Sequence, residues 1–156
     1  MAIKRPRRQC AALPFSWRDD GACIVLLVTS RETRRWVLPK GWVARKVKAA
    51  QQAAREAFEE AGVIGDVAKR ALGHYRYEKR LRSGQIVRCR VDVFPLSVSG
   101  RLDAWPEQAE REVAWFRPDE AAALVDESDL AEILRGFEEW LVRPTVSPVP
   151  ALLPSE

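Results

Sequence analysis

The sequence predicts an α/β domain with a mixed β-sheet. Three observations support this fold class: strand-like segments come first, a central helix separates them from further strands, and helical segments come last. The chain of 156 residues is long enough to bury a hydrophobic core. We expect residues 1–143 to form a single domain and residues 144–156, which contain four prolines, to form a flexible tail.

The first half of the chain contains three predicted strands and the central helix. The strands are expected at residues 9–17, 22–30 and 36–38. The second of them is a continuous apolar run, which is typical of a strand buried on both faces. Pro39 and Gly41 then interrupt regular structure. Apolar residues at helical spacing predict a helix from Lys48 to Ala61, and Gly62 is placed where helices commonly end.

The second half is expected to return to strands before it ends in helices. Strands are predicted at residues 67–80, 85–98 and 112–116, with a turn at Ser83–Gly84 and a loop at 99–111. Apolar and polar residues alternate clearly in the 85–98 segment, as they do in a strand with one buried face. A short helix is expected to begin at Pro118, and a longer amphipathic helix at residues 129–142.

Charge, cysteine content and hydropathy argue against several function classes. A net charge of +4 is modest for nucleic-acid recognition, and no RNA-binding motif is present. The three cysteines form no CxxC pair, which argues against a zinc site or a disulfide framework. No apolar run has the roughly 18 residues that a membrane span needs, and no apolar segment typical of a secretory signal follows the basic residues 4–8. We therefore expect a cytoplasmic protein without a membrane or nucleic-acid partner.

The central helix carries three glutamates within little more than one turn. Glu56, Glu59 and Glu60 are spaced three and four residues apart, so their like charges repel on one helix face. Either these carboxylates face solvent, or a cation binds to them. Carboxylate oxygens without histidine or cysteine suit Mg²⁺ or Mn²⁺. Arg55, four residues before Glu59, is placed to orient that carboxylate.

The sequence around these glutamates resembles the signature of the Nudix hydrolases. The segment GWVARKVKAAQQAAREAFEEAGV matches the family pattern of a glycine, a spacer and an Arg-Glu-x-x-Glu-Glu-x-Gly group, except that Val47 replaces the first glutamate. Flanking segments, LLVTSR, RWVLPKG and WFRPDEA, resemble the diphosphoinositol-polyphosphate and diadenosine-polyphosphate phosphohydrolase branch. The resemblance covers roughly residues 7–140 and implies a Nudix fold, with the mixed sheet sandwiched between helices.

The resemblance also implies roles for particular residues. Glu56 and Glu60 are expected to bind Mg²⁺ or Mn²⁺, and a main-chain carbonyl near Gly41 to complete the shell. Glu59 is expected to be a third ligand or the base for the attacking water, held in place by Arg55. For the substrate, the implied residues are Arg7, Ser30 and Arg31, which would contact phosphates, and Lys40, at the mouth of the signature segment.

The implied reaction is hydrolysis of a diphosphate linkage in a phosphorylated small molecule. The basic residues favour a highly charged substrate, such as a dinucleoside polyphosphate or a diphosphoinositol polyphosphate. Two alternatives stay open: a nucleotide or polyphosphate sensor without turnover, motivated by Val47, and removal of diphosphate from the 5′ end of RNA.

Several further residues have open roles. Three tryptophans are candidates for stacking on a nucleobase, and three glutamates of the loop before the last strand are candidates for an additional base. Two strand arginines either line the cleft or face solvent. The tryptophans are Trp36, Trp42 and Trp105, the glutamates are Glu107, Glu110 and Glu112, and the arginines are Arg88 and Arg90.

Overall fold

The computed structural model describes residues 5–142, so the predicted tail at residues 144–156 lies outside the described part. Within the described part, eight strands form one sheet and four helices pack on it. The strands are β1 (Arg7–Trp17), β2 (Cys23–Thr29), β3 (Trp36–Val37), β4 (Lys40–Trp42), β5 (Val63–Val67), β6 (Gly73–Arg80), β7 (Ile86–Arg101) and β8 (Val113–Phe116). The helices are α1 (Ala49–Ala61), α2 (Pro118–Leu124), α3 (Ser128–Arg135) and α4 (Phe137–Leu141).

The sheet is mixed, as predicted. Its main path runs β3-β2-β1-β7-β5, and β4, β6 and β8 pair with β1, β7 and β2, respectively. The central pair β1·β7 is parallel and the other pairs are antiparallel. Because β7 occupies one edge of β1, both β2 and β4 pair with the other edge, β4 at Gln9–Ala11 and β2 at Phe15–Trp17. Strands β4 and β2 therefore occupy successive segments of the same edge of β1.

Helices cover both faces of the sheet, which confirms the predicted sandwich. One core lies between the sheet and α2, α3 and α4, and it includes Leu13, Leu130 and Phe137. The other lies between the sheet and α1, and it includes Ala12 and Ala57. Neighbouring residues of β1 alternate between the two cores, as the period of two in a strand requires. None of the helices at residues 5–142 is long and apolar enough to cross a bilayer.

Three predicted boundaries were wrong. The segment 67–80 is not one strand, because the chain forms β5 directly after Gly62 and rejoins the sheet only at β6. The sixteen-residue β7 pairs with both strands along one edge, and it extends into the predicted loop 99–111. The predicted helix 129–142 is divided at Gly136, which has poor helix propensity and ends α3.

Candidate active site

Helix α1 directs two of the three glutamates toward the sheet. Its alanines favour helix formation, and Gly62, with a φ of 67°, ends it in the left-handed conformation that glycine adopts most easily. Glu60 belongs to the buried stripe of α1 and is only 4% exposed. Glu56 lies one turn earlier on the same side, whereas Glu59 lies on the flank, where its side chain is 35% exposed.

The carboxyl group of Glu56 lies directly against the backbone of Gly41 in β4. A Cβ atom at Gly41 would overlap the Glu56 carboxyl group, so any larger residue there would displace that group. The side-chain amide of Gln52 donates a hydrogen bond of 2.6 Å to Glu56 Oε2. Burial raises the pKa of Glu56 above its usual value. The absence of a side chain at Gly41 therefore creates the space in which this carboxylate lies.

Glu60, one helical turn after Glu56 on the same side of α1, is buried. The backbone N–H of Lys40 donates to Glu60 Oε1 at 3.4 Å, and the Arg111 guanidinium lies 3.7 Å from Glu60 Oε2. Burial raises the pKa of Glu60 to about 8, although Arg111 partly opposes this shift. Burial also lowers the pKa of Lys40 to about 8. Burial thus disfavours the charged form of both carboxyl groups.

Arg111 is a site residue that sequence reasoning missed. Its side chain is 10% exposed and bridges three groups: the carboxylates of Glu60 and Glu107 and the backbone carbonyl of Thr29. The distance to Glu107 Oε1 is 2.9 Å and that to the Thr29 carbonyl is 3.1 Å. The only local signal in the sequence is its spacing of four residues from Glu107, which many surface ion pairs share.

The loop before β8 is attached to the carboxyl end of α1. Three donors of this loop hydrogen-bond to backbone carbonyl groups at the carboxyl end of α1, where intrahelical partners are lacking. The Leu102 N–H donates to the carbonyl of Gly62 at 2.8 Å, and the Glu107 N–H donates to that of Glu59 at 2.9 Å. The indole Nε1–H of Trp105 donates to the carbonyl of Glu60 at 3.3 Å. This attachment places the Glu107 side chain in the site. Of the three loop glutamates left open by the sequence, Glu107 lines the main cavity. Glu110 and Glu112 are not part of that lining and pair with Arg31 and Arg34, respectively.

A cavity of about 540 Å³ lies beside the carboxylate pair. Its lining includes Glu56 and Glu60 together with Gln9 and Tyr77, which hydrogen-bond to each other at 2.7 Å. The cavity is rich in cationic side chains: Arg31, Arg35, Lys40, Lys79, Arg80 and Arg111. Five glutamates also line it: Glu32, Glu56, Glu60, Glu78 and Glu107. The cavity therefore combines carboxylates, which suit a divalent cation, with cationic groups, which suit phosphate oxygens.

Comparison with known proteins identifies the family. The NUDIX domain family matches residues 6–140. This chain belongs to the NUDIX family. Nudix hydrolase 17, mitochondrial, from Arabidopsis thaliana is 30% identical over 149 residues, which are 91% of this chain and 80% of the relative. Diphosphoinositol polyphosphate phosphohydrolase 3-beta from Bos taurus is 31% identical over 118 residues, 74% of this chain and 66% of that protein. Among the curated relatives it matches, the chain spans as little as 53% of their length.

Solved structures confirm the NUDIX fold. The NUDIX domain of Shewanella oneidensis NrtR, solved with ADP ribose, matches with a TM-score of 0.66 and 18% identity over 90% of this chain and 91% of that domain. An Ap4A hydrolase from C. elegans matches with a TM-score of 0.64 and 19% identity over 86% of this chain and 97% of that chain. At these identities the similarity establishes the architecture.

The NUDIX structure brings most of the predicted site residues together. The main cavity is lined by Ser30, Arg31, Lys40, Gly41, Glu56 and Glu60. The remaining three, Arg7, Arg55 and Glu59, are not part of that lining. Arg55 and Glu59 face each other with 3.9 Å between Nε and Oε2, and Arg7 is an exposed residue at the start of β1.

Metal binding by all three signature glutamates stays a prediction. Within residues 5–142, no three His, Cys, Asp or Glu side chains form a group that could hold a metal ion. Two carboxylates, Glu56 and Glu60, do meet beside the Gly41 backbone, and hard oxygen donors of this kind fit Mg²⁺ or Mn²⁺.

Of the two predicted strand arginines, Arg88 lines a separate pocket of about 230 Å³, and Arg90 pairs with Asp92.

Proposed function

We propose that this NUDIX protein hydrolyses a diphosphate linkage in a highly phosphorylated small molecule. Dinucleoside polyphosphates and diphosphoinositol polyphosphates are the substrate classes that the site favours. The observation that carries the proposal is the carboxylate pair of Glu56 and Glu60, of which Glu60 is buried, in a cavity that six cationic side chains also line. Because the substrate is a small molecule, membranes and nucleic acids are not among the proposed partners, and we propose a cytoplasmic location.

Mg²⁺ or Mn²⁺ is the proposed cofactor. The residues that would hold it are Glu56, Glu60 and the main-chain carbonyl of Gly41, and the family resemblance adds Glu59 as a third carboxylate. When bound, such an ion neutralises phosphate charge and increases the acidity of a water molecule. Its positive charge would also compensate the carboxylates of Glu56 and Glu60, which burial disfavours in their charged form.

The cationic residues of the cavity would bind and orient the substrate. Arg35 is held by Glu127 at 2.7 Å, and Arg31 by Glu110 at 3.1 Å, so both guanidinium groups are positioned before a ligand arrives. Guanidinium groups can grip phosphate oxygens with two hydrogen bonds, which suits this task. Lys40 lies over the Tyr77 ring, 5.2 Å from its centroid, and contributes a further positive charge.

The reaction needs no covalent intermediate with the protein. Attack of water on one phosphorus breaks the bridging P–O bond, and the electron pair of that bond leaves with the departing phosphate. A carboxylate takes the proton of the attacking water. Glu59 is the candidate from the family resemblance, with Arg55 beside it, and Glu107 is the candidate that lines the cavity.

Hydrolysis assays with matched variants test this function. Diadenosine tetraphosphate and a diphosphoinositol polyphosphate are incubated with the wild-type chain in Mg²⁺, in Mn²⁺ and in EDTA. We expect metal-dependent hydrolysis that falls by more than about 100-fold in Glu60→Gln, since loss of even the groups that support metal ligands costs about 10–100-fold. Glu139→Gln, in an exposed position of α4, is the control and should keep wild-type activity. Metal-independent turnover, or full activity of Glu60→Gln, would contradict the proposal.

A sensor without turnover is the second candidate, and Val47 is the observation that favours it. This residue replaces the first glutamate of the family signature, and the first turn of α1 carries no acidic residue that could substitute for it. The sensor predicts that both substrates bind to the wild-type chain and are released unchanged in Mg²⁺ or Mn²⁺.

A further inference from the structure

The three tryptophans that the sequence offered for base stacking have different environments. Trp36 packs edge-to-face on Phe116, with 5.2 Å between the ring centroids. Trp105 lies against Gly62, where any added Cβ would meet its indole ring. Trp42, in contrast, is 40% exposed and lines the main cavity. Of these three, Trp42 alone combines an exposed ring with a place in the site.

The register of β4 places Trp42 on the same strand face as Lys40, a cationic residue of the cavity. Trp42 pairs with Gln9 and Lys40 pairs with Ala11, so Trp42 and Lys40 lie on the same face of β4. Gly41, between them, lies on the opposite face, against the Glu56 carboxyl group. Residues two apart in a strand are separated by about 7 Å. That figure is the separation of the two backbones, and both side chains line the same cavity. A nucleotide, whose ribose separates a planar base from its phosphates, has groups that suit both an indole ring and an ammonium group.

We infer that Trp42 is the platform on which a nucleobase of the substrate stacks. This inference rests on the proposed function and narrows its substrate class to nucleoside diphosphate derivatives, such as dinucleoside polyphosphates. Stacking suits an exposed indole because every nucleobase presents a π-face, whatever its hydrogen-bonding groups. An inositol ring offers no such face, so Trp42 should discriminate between the two substrate classes.

Ligand binding measured by calorimetry tests the role of Trp42 without requiring turnover. ADP and inorganic tripolyphosphate are titrated, in Mg²⁺, into the wild-type chain and into Trp42→Ala, Trp42→Phe and Trp17→Ala. Trp17 is a matched control, because it is 54% exposed at the far end of β1 and does not line the cavity. We expect Trp42→Ala to weaken ADP binding about tenfold, the usual scale for loss of one stacked base. Tripolyphosphate binding should be unchanged, Trp42→Phe should keep most of the ADP affinity, and Trp17→Ala should bind both ligands normally.

Three outcomes would overturn the inference. ADP affinity that is absent from the wild type or unchanged in Trp42→Ala would exclude stacking, and an equal loss of ADP and tripolyphosphate binding would mean that Trp42 only shapes the cavity. Hydrolysis of the diphosphoinositol substrate with no ADP affinity would refute the stacking and leave the proposed function standing. Selective loss of ADP affinity in Trp42→Ala, without hydrolysis of any substrate by the wild type, would support the stacking and refute the hydrolase.

Discussion

Replacing Gly41 with alanine tests the arrangement of the carboxylates with a single added methyl group. The new Cβ would lie 2.9 Å from Glu56 Oε1 and closer still to the other two carboxyl atoms, whereas ordinary contacts begin at 3.4 Å. The closest of these atoms lie about 1 Å inside that limit, so the Glu56 carboxyl group must move by about 1 Å and would lose its hydrogen-bond geometry with Gln52. Misplacement of about 1 Å costs roughly 100-fold in rate. We expect diphosphate hydrolysis by Gly41→Ala to fall by about that factor.

The same substitution should leave the stability of the fold nearly unchanged. The displaced atoms are the end of a flexible side chain, and an unfavourable rotamer of Glu56 costs about 0.5–1.5 kcal/mol. Gly41 does not have a positive φ, so alanine adds no backbone strain and recovers about 0.4–1 kcal/mol through the lower entropy of the unfolded chain. The two terms nearly cancel, and the free energy of unfolding should change by less than about 1 kcal/mol. The melting temperature should then shift by at most about 4 °C.

The assay is kcat on diadenosine tetraphosphate, measured beside a thermal melt of the same sample. Gly73→Ala is the matched control: this glycine is likewise a strand residue, and its added Cβ would make ordinary contacts, the nearest at 3.6 Å, with Ile133. The control should keep both its activity and its melting temperature. Wild-type kcat in Gly41→Ala would refute the role of the Gly41–Glu56 contact, and a large fall in melting temperature would show that the substitution acts on folding instead.

Three further predictions concern the charges of the site. Arg111→Ala should lower the free energy of unfolding, measured by urea denaturation, by about 3 kcal/mol, because it removes one partner of a buried ion pair. Arg111→Lys should recover only part of this free energy, since an ammonium group cannot bridge Glu60, Glu107 and the Thr29 carbonyl as a guanidinium group does. Addition of Mg²⁺ at tenfold its Kd should raise the melting temperature of the wild-type chain by about 3–6 °C, and this rise should be absent in Glu60→Gln. Arg35→Ala should raise KM for a polyphosphate substrate, most strongly at low ionic strength, with little effect on kcat.

Local patterns predicted those elements of the fold whose formation depends on local sequence. Helical spacing and Gly62 located α1, and apolar runs located β1 and β2. Strand β5 was missed because its sequence, VIGDV, contains glycine and aspartate, which are depleted in strands. Its pairing with β7 requires that glycine: a Cβ at Gly65 would collide with the backbone of Ser97, next to an irregularity in the register. Tertiary pairing therefore overrode a weak local preference.

The candidate site was predictable only in part. Glu56 and Glu60 lie four residues apart on one helix, so sequence spacing alone placed them together. Arg111 and Tyr77 reach the same cavity from distant segments, through the loop before β8 and through pairing of β6 with β7. Nothing in their own sequence neighbourhoods distinguishes them from surface residues. The exposure that separates Trp42 from Trp36 is likewise a property of packing.

The carboxylate pair of α1 is better explained by a ligand than by the needs of the fold. Glutamates four residues apart repel even on an exposed helix, by about 0.2–0.5 kcal/mol. Here Glu60 is buried as well, and partial or full removal from solvent raises the pKa of both carboxyl groups, that of Glu60 to about 8. Arg111 and the backbone N–H of Lys40 offset this unfavourable burial only partly. Apolar residues in both positions would extend the core between α1 and the sheet without this cost. A fold that instead places one carboxylate against the bare backbone of Gly41 and the other at the backbone N–H of Lys40, both lining one cavity, has a local conflict of the kind that marks functional sites.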